Sequence, residues 1–372
     1  MRTLFYLLQK EFRQIFRNKA ILAIIMVMPM VQLLIIPLAA DYEIKNINLS
    51  VVDHDHSTST QKLVSKITAS GYFHLQSYHD SYHDALALIE KDRSDLILEI
   101  PYGFERNLIR ENQQKVFIAV NAINGTKGGL GGAYLANIIN QFNDEIRVEW
   151  IQPQDYRAVQ TIAINSSNWF NPLMNYKTFM VPGILAILVT VVGGFLSALN
   201  IVKEKEVGTI EQINVTPIKK YIFISGKLIP FWIIGNVVFS IGLIVARVFY
   251  GIVPEGSLLV LYGFVWLYLL AVLGFGLLIS TFCETQQQAM FIAFFFLMIF
   301  ILMGGLFTSI DSMPYWAQLI AKFNPLSYLI EVMRMVVLKG SGWTDIMPHV
   351  RTIALFAVIL NGWAIWSYKK RA

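Results

Sequence analysis

Long apolar runs recur along the chain at residues 21–40, 179–201, 228–249, 258–282, 289–307 and 353–368. Each is near the roughly 20 residues that an α-helix needs to cross a bilayer core of about 30 Å. The pattern therefore predicts six transmembrane helices. Pro29 and Pro37 are expected to bend the first or loosen its end. Only residues 283–288 separate the fourth run from the fifth, so these two form a hairpin. Gly193, Gly194, Gly274, Gly276, Gly304 and Gly305 would let helices approach closely. Between 41 and 177 the pattern changes. Short strand-like segments at 48–53, 72–78, 95–100 and 115–121 alternate with helical ones at 59–70, 81–91, 102–111 and about 130–151. Such alternation predicts an inserted α/β domain with a largely parallel sheet.

Two further segments have an amphipathic pattern. In residues 1–19, Leu4, Phe5, Leu8, Phe12, Ile15 and Phe16 share one helical side, with Lys10, Arg13, Gln14 and Arg17 on the other. This suits a helix lying in the membrane interface with its basic side toward anionic headgroups; packing against protein would serve the same stripe. Residues 309–342 are too polar for a span and too patterned for a loop. Ser312 precedes MPYWAQLIAKF, a short helix expected to be capped at its start, with Pro314 in its first turn. Asn324 and Pro325 then open a second, half-buried helix carrying Tyr328, Glu331 and Arg334, the last two spaced to pair.

The polar segment 203–217 (KEKEVGTIEQINVTP) lies between the second and third runs and carries helix-start chemistry. Thr209 and Gln212 have capping-box spacing. Glu211 sits in the first turn, where it suits the helix dipole. Pro217 ends a helix of about two turns. Such a rod is either a capped connector or a handle for another protein.

Composition agrees with a polytopic membrane protein. The 372 residues are 55% hydrophobic and 15% charged, with a mean hydropathy of +0.52. The formal charge of +5 arises from basic residues beside spans, so no nucleic-acid partner is inferred. Arg2, Lys10, Arg13, Arg17 and Lys19, then Lys203, Lys205, Lys219 and Lys220, then Lys369, Lys370 and Arg371 fall in alternate connecting segments. Residues 251–257 have no basic side chain, and 308–349 have only Lys322, Arg334 and Lys339. The positive-inside rule then places both termini in the cytoplasm and 41–177 outside. No cleavable signal peptide is expected.

Catalytic chemistry is sparse. Cys283 is the single cysteine, which excludes an internal disulfide or thiolate cluster. His54 with His56, and His79 with His83, lack a third fixed ligand and are read as solvated, so no metal site is expected. The glycine-rich stretch 124–132 lacks the context of a nucleotide fingerprint and is expected to be a flexible loop. No Walker A pattern occurs, so ATP hydrolysis by the P-loop route belongs to another polypeptide. Arg247 lies where it can snorkel, and no acidic residue sits mid-span. That counts against an ion-driven carrier.

The run E-K-E-x-G-T-x-E-Q-I-x-x-T-P resembles the cytoplasmic loop after the second span of ABC-2-type permeases, the membrane subunits of a class of ABC exporters. Segment 94–108 resembles part of their extracytoplasmic domain. F-x-x-x-D-x-M-P and N-P-L-S-Y-x-I-E-x-x-R resemble the stretch before their last span, where two short helices dip into the outer leaflet. The resemblance implies an ATPase-coupling helix carrying Glu204, Lys205, Glu206, Gly208, Thr209, Glu211, Gln212 and Pro217. It likewise implies an outer-leaflet motif of Asp311, Pro314, Asn324, Pro325, Tyr328, Glu331 and Arg334. The implied partners are a separate ABC ATPase that binds ATP and Mg, a second copy or sister permease, the bilayer, and a periplasmic adaptor where the cell has an outer membrane. This chain would bind no cofactor. The implied function is export across the inner membrane of a hydrophobic or amphipathic cargo such as a drug or lipid. The alternative is a mechanotransmission subunit that moves its outer domain without cargo.

Overall fold

The computed structural model describes residues 2–39, 46–111, 113–123, 125–150, 169–171, 175–209 and 218–367. It divides into two compact units, residues 42–165 and residues 1–41 with 166–372.

The chain opens with α1 (Arg2–Arg17) and α2 (Lys19–Ala39). Helix α2 runs unbroken through both prolines. Pro37 leaves the Leu33 carbonyl without its i+4 donor, and the Tyr250 hydroxyl donates to that carbonyl at 3.0 Å. The expected loosening is absent because a neighbouring helix supplies the missing bond.

In the 42–165 unit, β1 (Ile47–Asp53) lies between β2 (Phe73–His79) and β3 (Leu96–Ile100) and is parallel to both. Strand β4 (Phe117–Val120) pairs antiparallel with β3, giving the order β2-β1-β3-β4. Helices α3 (Thr58–Ala69), α4 (Tyr82–Glu90), α5 (Phe104–Glu111) and α6 (Gly125–Trp150) complete it. The period-2 rule is visible in β1 and β3. Ile47, Leu49, Val51, Leu96, Leu98 and Ile100 pack into one core with Leu63, Ile67, Leu135 and Phe142, while Val52 and Ile97 turn to Ala85 on the other face.

The glycine-rich stretch is not a loop: residues 125–132 form the first turns of α6. A Cβ on Gly128 would stand 2.7 Å from the Asn121 carbonyl oxygen, and one on Gly131 would stand 2.9 Å from Leu96 Cδ1. The glycines bring the helix onto the sheet, and that contact outweighs their poor helix propensity.

At the end of β1, buried Asp53 accepts the Tyr78 hydroxyl and the backbone N–H groups of Asp55 (2.9 Å) and His56 (3.1 Å). Burial alone would raise the Asp53 carboxyl, but the Tyr78 and Thr60 hydroxyls and the two N–H groups outweigh it and hold the carboxyl below the ordinary 3.8. Burial and then the Asp53 bond push Tyr78 above the ordinary 10.0. The sign follows from linkage. The Asp53 contribution is complete above the unfolded value near 4 and drains as pH falls below it. The Tyr78 contribution is complete below 10 and drains as pH rises past it. Hydrogen exchange on the intact protein should show protection of β1 and β2 falling below pH 4. Asp53→Asn should flatten that dependence, and an unchanged profile would refute the assignment.

In the other unit, α7 (Tyr176–Glu206) is one 31-residue helix interrupted by a π-turn at Val191–Leu196. It is followed by α8 (Lys220–Tyr250), α9 (Leu258–Phe282) and α10 (Gln286–Leu302). Then come a 3₁₀ turn (Ile310–Ser312), α11 (Tyr315–Ala321), α12 (Pro325–Lys339) and α13 (Trp343–Ser367). Helices α7, α8, α9 and α13 are long and apolar enough to cross a membrane. Burial separates their roles: 72% of the apolar window of α7 is enclosed, against 17% for α13. Helix α7 is a central post and α13 a peripheral one.

Several boundaries differ from expectation, among them the start of α8 at Lys220 rather than 228. Helix α10 stops at Leu302 rather than 307, because the chain turns at Gly304 and Gly305, the latter with φ 79°. Its 17 residues extend about 25 Å, short of a full bilayer core. Helix α13 begins at Trp343, ten residues before the apolar run at 353, taking in Pro348 and His349.

Candidate functional site

The C-terminal end of α7 gathers the charges of the 203–217 segment. Gly208, at φ 78°, takes the left-handed conformation that ends a helix. The Val207 N–H donates to the Lys203 carbonyl at 3.0 Å and the Gly208 N–H to the Lys205 carbonyl at 3.0 Å. The Thr209 hydroxyl donates to the Glu204 carbonyl at 3.2 Å. Thr209 thus helps close α7 from below. The capping box expected between Thr209 and Gln212, with Glu211 and Pro217, falls in 210–217, which lie outside the described residues.

Glu204 does not face solvent. Its Oε1 is 2.6 Å from Lys10 Nζ and 2.7 Å from Lys227 Nζ. Lys227 Nζ is also 2.7 Å from Glu11 Oε1, and Asn200 Nδ2 donates to Glu11 Oε2 at 3.3 Å. Glu11, Glu204 and Lys227 are 2–4% exposed at their side chains, whereas Lys10 is 44% exposed. Two ammonium groups and two carboxylates therefore balance in a nearly dry site joining α1, α7 and α8. Burial alone would lower the Lys10 ammonium, but Glu204 and Glu11 outweigh it and hold it above the usual lysine range.

The next two residues tie α7 to other helices. Lys205 Nζ donates to the carbonyls of Ser280 and, at 3.0 Å, Cys283, where the end of α9 leaves carbonyls unsatisfied. The exposed Glu206 carboxylate accepts from the Gln286 backbone N–H at 3.1 Å and from its side-chain amide at 2.7 Å, at the start of α10. Three consecutive residues thus grip α1 with α8, α9 and α10.

Sequence reasoning missed Glu11 and Lys227. The apolar stripe of α1 does not act as one face: Glu11 and Ile15 are the buried residues of the helix, and Phe5, Tyr6 and Phe16 are exposed, so the protein-packing alternative holds for part of the stripe. One face packs on α8, where a Cβ on Gly226 would stand 3.1 Å from Leu7 Cβ. The available signal was the pair Gly226-Lys227 at the head of an apolar run, a charge beside a close-approach residue.

The 309–342 residues lie at the other end of the unit's helices. Pro314 holds the N-cap position of α11 with no side-chain bond, so Ser312 is not its cap. Instead, Gln318 Nε2 reaches back to the Met313 carbonyl at 2.9 Å and the Asp311 carbonyl at 3.4 Å. Asn324 does cap α12, its Oδ1 accepting the Leu326 N–H at 3.0 Å, with Pro325 in the first turn. Its Nδ2 donates to the Phe300 carbonyl at 2.8 Å, holding α12 against α10. The Tyr328 hydroxyl donates to the Lys322 carbonyl at 2.9 Å. Glu331 pairs with His349 Nε2 at 3.1 Å rather than with Arg334, whose Nη1 donates to the Gly305 carbonyl at 3.0 Å.

Among the described residues, no group of three His, Cys, Asp or Glu side chains is placed to hold a metal. His54 lies 3.2 Å from Glu99 and His56 lies 3.3 Å from Asp80, so the two diverge.

A bundle of long apolar helices, one end of which is knitted together by charges, defines a helical membrane-type protein. A family model described as ABC-2 family transporter protein matches residues 19–366. The chain belongs to that family, a family of transport permeases that partner an ABC ATPase subunit. It is 27% identical over 349 residues to the "Probable multidrug ABC transporter permease YbhR" of Escherichia coli (strain K12), covering 93% of each chain. It is 27% identical over 368 residues to YbhS of the same strain, which bears the same description, covering 97% of this chain and 95% of the relative. Similarity to the "Inner membrane transport permease YhhJ" of that strain is 22% over 359 residues, covering 95% and 93%.

Proposed function

We propose that this chain is the permease subunit of an ATP-driven exporter, moving a hydrophobic or amphipathic cargo out of the cytoplasm or inner leaflet. In this reading six helices cross the inner membrane. Both termini are cytoplasmic and the 42–165 unit is extracytoplasmic. The partners are a separate ATPase, which carries ATP and Mg, and a second copy or sister permease. The observation that carries the proposal is the grip of Glu204, Lys205 and Glu206 on four other helices at the end of α7. A push on the segment beginning there would be shared at once by α1, α8, α9 and α10, which is what a subunit without its own ATPase motif requires. The printed descriptions of YbhR and YbhS as multidrug permeases favour the cargo class.

Glu206→Lys combined with Glu211→Lys tests the docking step, since both side chains belong to the polar segment and the exposed Glu206 is not part of the buried cluster. Co-purification of the ATPase should fall at least tenfold while membrane insertion is unchanged. Undiminished co-purification would remove the docking claim. In reconstituted vesicles, coupled ATPase activity without movement of any cargo would favour mechanotransmission instead.

A further inference from the structure

Arg334 of α12 is held at its ring face and at Nη1, while its remaining edge has no hydrogen-bond partner. Its guanidinium carbon lies 3.6 Å from the centre of the Phe179 ring, at the start of α7. Nη1 is held by the Gly305 carbonyl at 3.0 Å. Nε and Nη2 are shut off from solvent and have no hydrogen-bond partner. Glu331, one turn away, is hydrogen-bonded to His349 and acts on Arg334 only through space, without a hydrogen bond to it.

Nε–H and Nη2–H share one edge of the guanidinium and point the same way, at the spacing of two oxygens of a carboxylate or phosphate. A buried charged donor without an acceptor is costly, and burial pulls this group down to about 10, still charged at neutral pH. Because the ring face and Nη1 are already occupied, the side chain cannot turn to satisfy that edge elsewhere. Phe179 precedes Glu204 by 25 positions in the same helix, which is about 37 Å at 1.5 Å per residue. The two polar sites therefore stand at opposite ends of the bundle, separated by about a bilayer core.

We propose that the Nε–Nη2 edge of Arg334 binds the oxyanion of an amphipathic molecule, a phosphate ester or carboxylate carrying an apolar tail, at the end of the bundle away from the Glu204 cluster. The proposal deepens the exporter reading and rests on it for which end faces outward. The molecule is either a lipid, through its headgroup, or the cargo. Since the edge is covered in this conformation, the ligand reaches it only when the contacts around Phe179 loosen. Differential affinity then makes the anion favour the loosened form. Lysine would be a poor substitute, as a point charge cannot present two parallel donors.

The test uses the full chain with its ATPase in an uncharged maltoside detergent, with binding followed by tryptophan fluorescence. Dodecyl phosphate and dodecanoate should bind, whereas dodecyltrimethylammonium and inorganic phosphate at equal concentration should not. Arg334→Lys should weaken dodecyl phosphate binding at least tenfold, and Phe179→Leu, which frees the guanidinium to turn, should weaken it by a smaller factor. Competition by phosphatidylglycerol assigns the edge to a lipid headgroup, and its failure to compete assigns it to cargo; either supports the fork. Equal binding of dodecyl phosphate to wild type and Arg334→Lys would overturn the proposal. So would an Arg334→Met protein with raised Tm and unchanged binding, because the guanidinium would then be only a structural cost. Cargo movement is measured separately in vesicles. Wild-type protein that binds dodecyl phosphate through Arg334 but moves no cargo counts against the exporter reading alone, and wild-type protein that moves cargo but shows no Arg334-dependent anion binding counts against this site alone.

Discussion

Replacing Lys227 by methionine will destabilise the protein by about 3–5 kcal/mol, the range seen when one partner of a buried ion pair is removed. Among the described residues, Lys227 is the single group placed 2.7 Å from both Glu11 and Glu204, and all three side chains are almost wholly buried. Without it, two carboxylates share a dry space with only the half-exposed Lys10 to neutralise them. The effect appears as a lowered Tm in detergent and as earlier loss of α1 from the bundle. The triple change Lys227→Met, Glu11→Gln, Glu204→Gln removes the three buried charges and leaves only Lys10, whose side chain is 44% exposed; it should recover most of the lost stability, since apolar or neutral replacements of buried ion clusters are often tolerated. The recovered protein should still fail to couple ATP hydrolysis to transport if the cluster is the joint through which α7 moves α1 and α8. A single-variant loss below about 1 kcal/mol, in the range of exposed ion pairs, would show that the cluster is hydrated and weak.

The second large effect is expected at Gly276 of α9. A Cβ there would stand 2.4 Å from the Ser197 hydroxyl and 2.6 Å from the Gly194 carbonyl oxygen. The Ser197 hydroxyl is itself bonded to the carbonyls of Gly193 and Gly194, inside and just after the π-turn of α7. Neither a bonded hydroxyl nor a backbone carbonyl yields cheaply, so Gly276→Val should cost about 1–3 kcal/mol by overpacking, or more if the helices separate. It should also pull the π-turn apart from α9, which infrared or hydrogen-exchange measurement on 191–197 would detect. Gly362→Ala provides the contrast. Nothing lies within 4 Å of a Cβ at Gly362, so this change should be neutral or stabilising by up to about 1 kcal/mol from helix propensity. Equal Tm values for the two variants would refute the close approach of α7 and α9.

Local pattern carried much of the architecture. The apolar runs around 179–201, 228–249 and 258–282 fall within α7, α8 and α9, because the chemistry of a run of about 20 apolar residues is the same wherever it sits. The strands at 48–53 and 95–100 were legible as short runs rich in Val, Ile and Leu, which is a property of neighbours in sequence. Asn324-Pro325 was legible as a helix start for the same reason: cap and first turn lie within three residues. The charges of 203–217 were recognisable as a group, but their individual partners were not.

What the sequence by itself determined, then, is the set of elements whose cause is short-range: apolar length, alternation, caps, and the crowding of charge after the second apolar run. Only the tertiary structure decided which charges are buried, since Glu11, Glu204 and Lys227 meet across separations such as the 194 residues between Lys10 and Glu204. It also decided that residues 125–132 are helical, because glycine's poor propensity is offset there by contact with a sheet that the stretch alone cannot reveal. Periodicity records what each residue does to its neighbours a turn away. Pairing across the bundle depends on which helices touch, and no local spacing encodes that.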